Sequence, residues 1–523
     1  MVGVAERAGL ELHPGLTEAR ELARRGNVVP VALKLIDDCE TPVSAYLKLT
    51  SGAGGRRPAF LLESAERGQV GRYSFIGVRP RAMLRYSDGL LSEWTGEAAA
   101  AGGPPTAEHE CADPYAAVAE RMSRYKPAAA EGLPPFTGGA VGFFGYDLVR
   151  TVEPLGDPNP DPIGLPDMAL MITDSMVIFD HLNHELTLLA CAFCEDEGDI
   201  DAAYARAAEA IAETRRLLRG PVPDPPAIAA GAAPGTALGP RTAPEFTSNL
   251  SREQFEQSVS RIVEYIRAGD AFQVVPSQRF SAELPVEAFS VYRGLRAVNP
   301  SPYMYHLEFG DFQIAGASPE PLIKVNGREV ETRPIAGTYP RGGSEEEDRR
   351  LAERLLDDPK ERAEHVMLVD LGRNDLGRVC EYGSVTVAEL MAVETYSHVL
   401  HIVSRITGRL AEGVGALDVL RAALPAGTLS GAPKVRAMQI IDELEPHKRG
   451  SYGGAIGYLS WNGDLDTAIH IRTVVVKDGH AHIQAGGGTV VDADPAYEFN
   501  ESVNKARAAF RAVEIACAQP EWP

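Results

Sequence analysis

No run of apolar residues in the sequence approaches the roughly 20 residues that a membrane-spanning helix needs, so no membrane segment is predicted. The N-terminal stretch, Met1 to Asn27, has no apolar core before a small-residue cleavage site, and so does not indicate a secretory signal. Basic residues are also scarce, with 51 Lys and Arg against 73 Asp and Glu and a formal net charge of −22. A nucleic-acid-binding surface would need the opposite balance. We therefore expect a cytoplasmic protein without membrane or nucleic-acid partners.

Cysteine is rare as well, with six scattered residues, as is usual for reduced thiols. Cys191 and Cys194 form a CxxC pair, but no second pair follows at the spacing of a zinc site. The pair closes the apolar run LTLLACAFC, so packing in a strand is predicted instead of metal binding. No segment fits GxGxxG in a way that would indicate a dinucleotide site.

The chain of 523 residues, 44% of them hydrophobic, is long enough for a large soluble core. Residues 220–245 are rich in proline and alanine and predict a linker or surface crossing. This stretch separates an N-terminal part, residues 1–219, from a C-terminal part, residues 246–523. Strand-like and helical segments alternate on both sides, which predicts a mixed α/β (α+β) architecture.

Local signals place several elements. Ile200 to Arg219 reads as a helix, and a second helix begins at a capping box of Ser251 and Gln254 and stops at Gly269. The segment GGAVGFFGYD, which starts at Gly138, is echoed by GGAIGYLSWN, which starts at Gly453. The echo has two interpretations, internal pseudo-symmetry or two glycine-rich bends that enter apolar strands.

Carboxylates at helical spacing give the first chemical signal. Glu361 and Glu364 are three residues apart on one predicted helix, and Glu498, Glu501 and Lys505 share one face of another. Four carboxylates brought together need a cation, and hard oxygen ligands suit Mg²⁺. Two solvated helix faces explain the same spacing, so spacing alone leaves both interpretations open.

Small residues and isolated polar residues give a second signal. The segments AGTLSGAPK and QAGGGTV contain exposed N–H groups that can bind a carboxylate or phosphate, although bends or bulges also explain them. Arg472 interrupts the apolar run TAIHIRTVVV and would need an anionic partner if buried. His401 interrupts VLHIVS, where a structural histidine is more common than a catalytic one. Together these residues predict an acidic metalloenzyme for a small anionic substrate, without naming the reaction.

Longer segments, taken in order, resemble the chorismate-utilising enzymes, which include anthranilate, aminodeoxychorismate, isochorismate and salicylate synthases. The segments are GDAFQVVPSQRF, GASPEPLI, ETRPIAGTYPRG, ERAEHVMLVDLGRND, PAGTLSGAPK, SYGGAIGY and AGGGTVVDADPAYEFNES. They span Gly269 to Lys505, and LLESAERGQVGRYSFIG and GGAVGFFGYDLVR extend the likeness towards the N-terminus. The resemblance implies a large fold of stacked β-sheets with helices outside, in which the N-terminal and catalytic parts are intertwined.

Two positions favour the anthranilate synthases within this family. Isochorismate and salicylate synthases resemble one another in having a water-activating lysine where this chain has Gln273, and a neutral amide cannot act as that base. Aminodeoxychorismate synthases typically read PIKGT, whereas this chain reads PIAGT, so Ala336 removes their proposed nucleophile. An aminodeoxychorismate synthase and a non-catalytic paralogue that binds chorismate or tryptophan remain the alternatives.

The resemblance implies that the chain converts chorismate and ammonia to anthranilate and pyruvate, at the entry to tryptophan biosynthesis. Glu364 and Glu501 resemble direct Mg²⁺ ligands, with Glu361 and Glu498 acting through water or behind them. Substrate binding is implied for Gly337, Thr338, Thr428, Tyr452, Arg472, Gly486, Gly487, Gly488 and Lys505. Of these, Arg472 would clamp the enolpyruvyl carboxylate by bidentate hydrogen bonds.

Four residues are implied in the chemistry itself. Glu320 would protonate the departing ring hydroxyl, which requires a raised pKa. Gln273 would place ammonia, and Lys505 would hold the ring-carboxylate end of the substrate. His401 would assist the elimination of pyruvate, with His398 as a rival for that role.

The resemblance also implies partners. The sequence has no Cys-His-Glu glutaminase segment, so ammonia is expected from a separate glutamine amidotransferase subunit in a hetero-oligomer. LLES and NPSPYM resemble tryptophan-binding segments, and we expect Ser64, Pro302, Tyr303 and Met304 to bind L-tryptophan as a feedback inhibitor. A strand end followed by a proline turn would explain the same two strings.

Overall fold

The computed structural model describes residues 11–51, 57–65, 71–101, 103–128, 132–194, 200–223, 242–395 and 399–518. Within these ranges the helices are α1 (Leu16–Leu22), α2 (Pro42–Thr50), α3 (Glu97–Ala101), α4 (Pro114–Ser123), α5 (Ile200–Leu218), α6 (Arg252–Ala268), α7 (Ala288–Val298), α8 (Glu345–Asp357), α9 (Pro359–Gly377), α10 (Ala416–Ala423), α11 (Gly427–Ser430), α12 (Lys434–Leu444) and α13 (Pro495–Ala518). A 3₁₀ helix spans Tyr146–Thr151. No described helix is both long and apolar enough to cross a membrane.

The strands of the N-terminal part are β1 (Val28–Ile36), β2 (Ala59–Glu63), β3 (Tyr73–Val78), β4 (Ala82–Ser87), β5 (Leu90–Thr95), β6 (Ala107–Glu110), β7 (Gly139–Phe144), β8 (Met168–Thr173), β9 (Ser175–Asp180) and β10 (Glu185–Phe193). Those of the C-terminal part are β11 (Thr247–Ser248), β12 (Gln273–Val274), β13 (Ser277–Glu283), β14 (Tyr303–Glu308), β15 (Phe312–Ser318), β16 (Pro321–Asn326), β17 (Glu329–Thr332), β18 (Ile335–Pro340), β19 (Thr386–Thr395), β20 (Val399–Arg409), β21 (Gly431–Ala432), β22 (Ala455–Ser460), β23 (Leu465–Ile469), β24 (Thr473–Lys477) and β25 (His480–Gly486).

The helix starts and stops predicted from the sequence coincide with helix ends in the structure. The predicted helix from Ile200 is α5. In α6, the side chain of Ser251 accepts from Gln254 N while Gln254 returns a bond to the Ser251 N–H, and Gly269 closes the helix at φ 89°. Most of the predicted linker, residues 220–245, lies outside the described residues.

Two large antiparallel sheets form the body of the molecule. Sheet A has the order β1-β10-β9-β3-β2-β14-β15-β24-β25-β13-β11. Sheet B has the order β18-β20-β17-β16-β23-β22-β7-β8-β4-β5-β6, with β19 beside β20. The predicted stacked-sheet α/β (α+β) class is therefore confirmed.

Both sheets are assembled from the two parts of the chain. In sheet A the N-terminal strands meet the C-terminal strands at β2 and β14, where Leu62 lies opposite Tyr305. In sheet B the meeting point is β7 with β22, where Gly142 lies opposite Gly457. These two strands come from the echoed GGAVGFFGYD and GGAIGYLSWN segments, so the similar segments pair antiparallel with each other. The predicted intertwining of the two parts is confirmed.

Alternation along the strands of sheet A divides the core into two layers. Phe75 belongs to the layer between the two sheets, whereas its neighbour Ile76 belongs to the layer on the opposite face, which includes residues of α2, α5, α7 and α13. Cys191, in β10, is buried between the sheets, and its thiol donates to Thr137 O at 3.2 Å. Cys191 therefore packs in a strand, as predicted, and Cys194 directly follows that strand. The candidate site draws on segments of both sheets, among them the edge strand β18 of sheet B and the end of β25 in sheet A.

Candidate active site

Two helix N-termini bring the predicted carboxylates into one region. In α9, Asp358 caps the helix by accepting from Glu361 N at 3.3 Å, so Glu361 and Glu364 follow in the first turns. In α13, the carboxylate of Asp494 accepts from Tyr497 N at 2.7 Å, which starts the helix that carries Glu498 and Glu501. The backbone N–H groups at such ends favour negative charge nearby.

The glycine loop, Gly486 to Gly488, begins at the last residue of β25 and lies beside the α13 carboxylates and Gln273. A Cβ on Gly487 would lie 3.0 Å from Glu498 Oε2 and 3.1 Å from Glu501 Oε1. A Cβ on Gly488 would lie 2.4 Å from Gln273 Nε2, so the Gln273 amide would have to shift to admit one. The absence of a Cβ at these two glycines thus lets the backbone come close to the carboxylates and the amide.

Gln273 connects the glycine loop to α9. Its side chain is 2% exposed, and Nε2 donates to Glu364 Oε1 at 3.2 Å. Its Oε1 is buried and has no hydrogen-bond partner among the described residues. A buried acceptor without a donor is costly, so this oxygen is suited to a small N–H donor that enters the site.

The negative charge of the four clustered glutamates is only partly compensated by neighbouring cations. Lys505 Nζ lies 2.7 Å from Glu501 Oε1. Burial, and then the neighbouring carboxylate of Glu501, raise the pKa of Glu498 to about 7. Glu498 Oε2 is buried without a partner among the described residues. The glutamate cluster would therefore be stabilised by a further cation.

The donor chemistry of these glutamates fits Mg²⁺, which prefers carboxylate oxygens and keeps several waters. The unpartnered oxygen of Glu498 beside Glu501 supports that fit. Within the described ranges, however, no three His, Cys, Asp or Glu side chains already form a metal-binding cluster. Because Glu501 pairs with Lys505, a bound Mg²⁺ would compete with that ion pair. Magnesium binding therefore stays a prediction.

Glu320 has the environment of a general acid. Thr428 Oγ1 donates to Glu320 Oε1 at 3.1 Å. Burial raises the pKa of Glu320 to about 7, and the Thr428 bond, Lys505 and Arg472 oppose the rise. A carboxyl group with such a pKa is protonated often enough near neutral pH to donate its proton.

Arg472 lies in the short loop between β23 and β24. Its φ of 52° is left-handed, which is unusual for a residue with a side chain and costs strain. Burial lowers the pKa of Arg472, while Glu320 and Tyr452 act in the opposite direction. Burial likewise raises the pKa of Tyr452. A half-buried guanidinium beside a neutral phenol can bind a carboxylate of a ligand.

His401 faces the same region from β20. Its Nδ1 lies 3.2 Å from Gly337 O, so in the neutral ring Nδ1 carries the proton and Nε2 is the basic nitrogen. Burial lowers the pKa of His401, which keeps the ring neutral near pH 7. The backbone of Thr338 lies opposite His401 in the β18–β20 ladder. The side chain of Thr338 and the rival His398 lie outside what the structure describes.

The remaining predicted pocket residues adjoin these groups. A Cβ on Gly337 would lie 3.3 Å from Glu361 Oε2, and Gly337 has a left-handed φ of 77°. Ala336, the residue that replaces the lysine of aminodeoxychorismate synthases, is 9% exposed in β18. Gly486 pairs with Ser277 in the β13–β25 ladder and leads into the glycine loop. The structure thus groups the predicted catalytic, substrate and metal residues that it describes.

A separate cavity lies between the sheets at the junction of the two parts of the chain. This junction cavity has a volume of about 370 Å³, within the range of small-molecule sites. The four predicted tryptophan-binding residues line it: Ser64, Pro302, Tyr303 and Met304. Ser64 Oγ is buried and has no partner within the described part of the chain. A polar ligand group in the cavity would satisfy that hydroxyl.

Most lining residues of the junction cavity were missed from the sequence, among them two polar residues on neighbouring strands. Tyr458, in β22, and Asp466, in β23, lie opposite each other in the ladder, and Tyr303 OH donates to Asp466 Oδ1 at 3.0 Å. Lys324 Nζ is 3.2 Å from Asp466 Oδ2. The alternation of β22 was the only available signal for Tyr458, and nothing local marked Asp466.

Comparison with known proteins agrees with this geometry. A family model described as chorismate binding enzyme matches residues 57–511. The chain therefore belongs to the chorismate binding enzyme family. It is 49% identical over 493 residues to anthranilate synthase component 1 of Pseudomonas aeruginosa, covering 94% of this chain and 96% of the relative. It is 48% identical to the component 1 protein of Thermus thermophilus, covering 93% and 98%.

Solved structures give the same result. Anthranilate synthase component I of Streptococcus pneumoniae superposes with a TM-score of 0.73 at 38% identity, covering 91% of this chain and 99% of that one. The menaquinone-specific isochorismate synthase of Escherichia coli superposes with a TM-score of 0.67 at 17% identity, covering 95% and 98%, and shares the fold. The resemblance drawn from the sequence motifs is confirmed.

Proposed function

We propose that this chain is the synthase subunit of an anthranilate synthase, which converts chorismate and ammonia to anthranilate and pyruvate. The observation that carries the proposal is the placement of Glu320, an acid of raised pKa, with Lys505 and Arg472 beside it. Chorismate carries two carboxylates, so a site for it needs local cations in a chain of net charge −22. The relatives at 48–49% identity are named anthranilate synthase component 1, which supports the same reaction. We place the reaction in the cytoplasm, as the composition predicts.

The substrate is held at two ends. Arg472 and Tyr452 bind the enolpyruvyl carboxylate, and the N–H groups of the glycine loop with Lys505 bind the ring carboxylate. Glu364 and Glu501, with Glu361 and Glu498 beside them, would hold a Mg²⁺ ion that offsets the charge of the ring carboxylate. Binding at both ends fixes the ring over the catalytic groups.

Amination comes first. Glu320 gives its proton to the ring hydroxyl, which leaves as water as the ammonia nitrogen bonds to the ring. Gln273 Oε1, buried and unpartnered among the described residues, accepts a hydrogen bond from ammonia and orients it. Thr428 holds the Glu320 carboxyl through its 3.1 Å hydrogen bond.

Aromatisation follows. The aminated ring loses a C–H proton, the bond between the ring carbon and the enolpyruvyl oxygen breaks, and the released enolpyruvate takes up a proton to become pyruvate. His401 assists this step because its Nε2 is basic and its ring is neutral near pH 7. The gain of aromaticity drives the elimination.

Ammonia is proposed to come from a glutamine amidotransferase subunit. Glutamine hydrolysis needs a nucleophile such as cysteine, and burial raises the pKa of the Cys191, Cys194 and Cys380 thiols. The component 1 names of the relatives fit a two-component enzyme. A hetero-oligomer is therefore the proposed working form.

The junction cavity is proposed to bind L-tryptophan as a feedback inhibitor. Tyr303 and Met304 supply apolar walls for an indole, and the unpartnered Ser64 hydroxyl meets the polar end. Pro319 and Pro321, which flank Glu320, also line the cavity. A ligand that fixes this segment acts on the catalytic acid, and chorismate must then weaken tryptophan binding in return.

The test is to supply the isolated chain with chorismate, Mg²⁺ and ammonium and to follow anthranilate by its fluorescence. We expect anthranilate and equimolar pyruvate with ammonium, and no turnover with glutamine. A stable aminodeoxychorismate product would instead identify the runner-up function. Glutamine-dependent turnover by this chain alone would contradict the two-subunit proposal.

A further inference from the structure

Arg449 is a buried cation that none of the proposed steps uses. It follows α12 in the segment HKRGSYGG and is 5% exposed. Its Nε donates to Glu445 Oε2 at 2.9 Å, and its Nη2 donates to the other carboxylate oxygen of Glu445. Burial by itself lowers the pKa of Arg449, but the Glu445 carboxylate outweighs that effect and raises it. The side chain is therefore a fixed, fully charged guanidinium within the protein.

The same guanidinium group binds two backbone carbonyls that belong to different site segments. Nη1 donates to Leu429 O at 2.6 Å, directly after Thr428. Nη2 donates to Val275 O at 2.6 Å, two residues after Gln273. One planar group thus joins the segment that holds the catalytic acid to the segment that orients ammonia.

Arg449 also contacts a third segment of the site. Its guanidinium carbon lies 5.6 Å from the ring centroid of Tyr452, whose N–H donates to Arg449 O at 3.2 Å. On the other side the carboxylate of Glu445 accepts from both the N–H and the hydroxyl of Ser277, each at 2.8 Å. Ser277 pairs with Gly486 at the entry of the glycine loop.

We propose that Arg449 is a positioning residue for the reaction, which holds the segments carrying Gln273, Thr428 and Tyr452 at fixed separations without touching substrate. This role rests on the proposed function. Only the planar fork of arginine can bind a carboxylate and two carbonyls in different directions at once, whereas lysine supplies a single point charge. A displacement of about 1 Å at a catalytic group can cost about 10²-fold in rate.

The test compares Arg449→Lys with wild type in the ammonium-dependent assay across pH. We expect kcat to fall by about 10–100-fold. We also expect the basic limb of the pH–rate profile to move to higher pH, because a displaced Thr428 no longer donates to Glu320. Lys505 and Arg472, the cations that face Glu320, are unchanged in this variant. A merely structural arginine would not move that limb.

Arg85→Lys is the matched control. Arg85 also donates to a carboxylate, that of Asp311, and to a backbone carbonyl, that of Phe309. It lies in β4, however, which carries none of the site residues. We expect it to lose stability while keeping kcat and the pH limb. If Arg449→Lys does not fold, Glu445→Gln loosens the same fork and is expected to move the limb in the same direction.

Two results would overturn the positioning role. One is a folded Arg449→Lys enzyme, judged by circular dichroism, with wild-type kcat and pH limb. The other is a loss of activity that only matches a loss of folded protein, with the limb unmoved. A wild-type chain without chorismate turnover would overturn the proposed function itself, so the two failures are distinguishable.

Discussion

Replacing Glu320 by glutamine isolates the role of its proton, because the amide keeps the shape of the side chain. Burial raises the pKa of Glu320 from 4.5 to about 7. At pH 7 about half of the molecules then carry the proton, against about 1 in 300 for an ordinary glutamate. General acids contribute about 10²–10⁴-fold to a rate, and we expect Glu320→Gln to lose that much of kcat with ammonium.

The pH dependence gives the sharper measurement. The protonated carboxyl is the active form, so wild-type kcat/KM for chorismate should fall about tenfold per pH unit above about pH 7. Free ammonia must be held constant at each pH, since its own protonation changes over the same range. In Glu320→Gln the residual rate should lack this limb. A wild-type profile that stays flat to pH 9, or an unchanged limb in the variant, would refute the assignment.

The same raised pKa has a consequence for stability. The folded state binds the Glu320 proton more tightly than the unfolded state. Ionisation of Glu320 therefore leaves the free energy of unfolding unchanged below about pH 4.5 and lowers it by the full amount above about pH 7. That decrease is at most about 3 kcal/mol before solvent screening reduces it. Glu320→Gln should therefore melt at a higher temperature than wild type at pH 8 and show no gain at pH 4. Equal melting temperatures at pH 8 would contradict the burial of this carboxyl group.

Three further substitutions test the other proposals. Glu501→Gln should lose most turnover and need more Mg²⁺, because one ligand charge disappears; a wild-type Mg²⁺ titration would make Glu501 a surface carboxylate. His401→Ala should slow aromatisation more than amination, so chromatography should show the aminated, non-aromatic intermediate; equal loss of both steps would contradict a role of His401 specific to the second step. Ser64→Arg should fill the junction cavity, so calorimetry should detect no tryptophan binding. Tryptophan should also no longer inhibit the variant, measured against the variant's own rate without tryptophan. Undiminished sensitivity to tryptophan would place the inhibitor elsewhere.

The local elements could be predicted because their signals are local. The capping box at Ser251, the stop at Gly269 and the helix from Ile200 all depend on residues within a few positions of each other. The carboxylate helices were also visible, since Glu361 and Glu364 repeat at helical spacing. Spacing alone could not distinguish them from solvated surface, because Gln273, which donates to Glu364, comes from a distant part of the sequence.

Contacts between segments that are distant in the sequence were the part that the sequence could not provide. Arg449 appears in the sequence as one basic residue beside Lys448, and only the fold shows that its neighbours are Val275 and Leu429. Asp466 likewise becomes part of the junction cavity only when β23 pairs with β22. The family motifs implied roles for residues whose spatial neighbours could not be predicted from the periodicity of the sequence. The roles of the site residues, the magnesium ion and the cytoplasmic location stay predictions.

The shared sheets constrain how the chain can fold during its synthesis. Strand β7 is buried along its whole length, yet its partner β22 is made much later in the sequence. At about 5–20 residues per second the ribosome needs on the order of 15–60 s to deliver that partner. Throughout this interval the nascent N-terminal part presents the unpaired apolar edges of β7 and of β2, which are templates for aggregation. The N-terminal part therefore leaves these two edges without their partner strands until the C-terminal part is made.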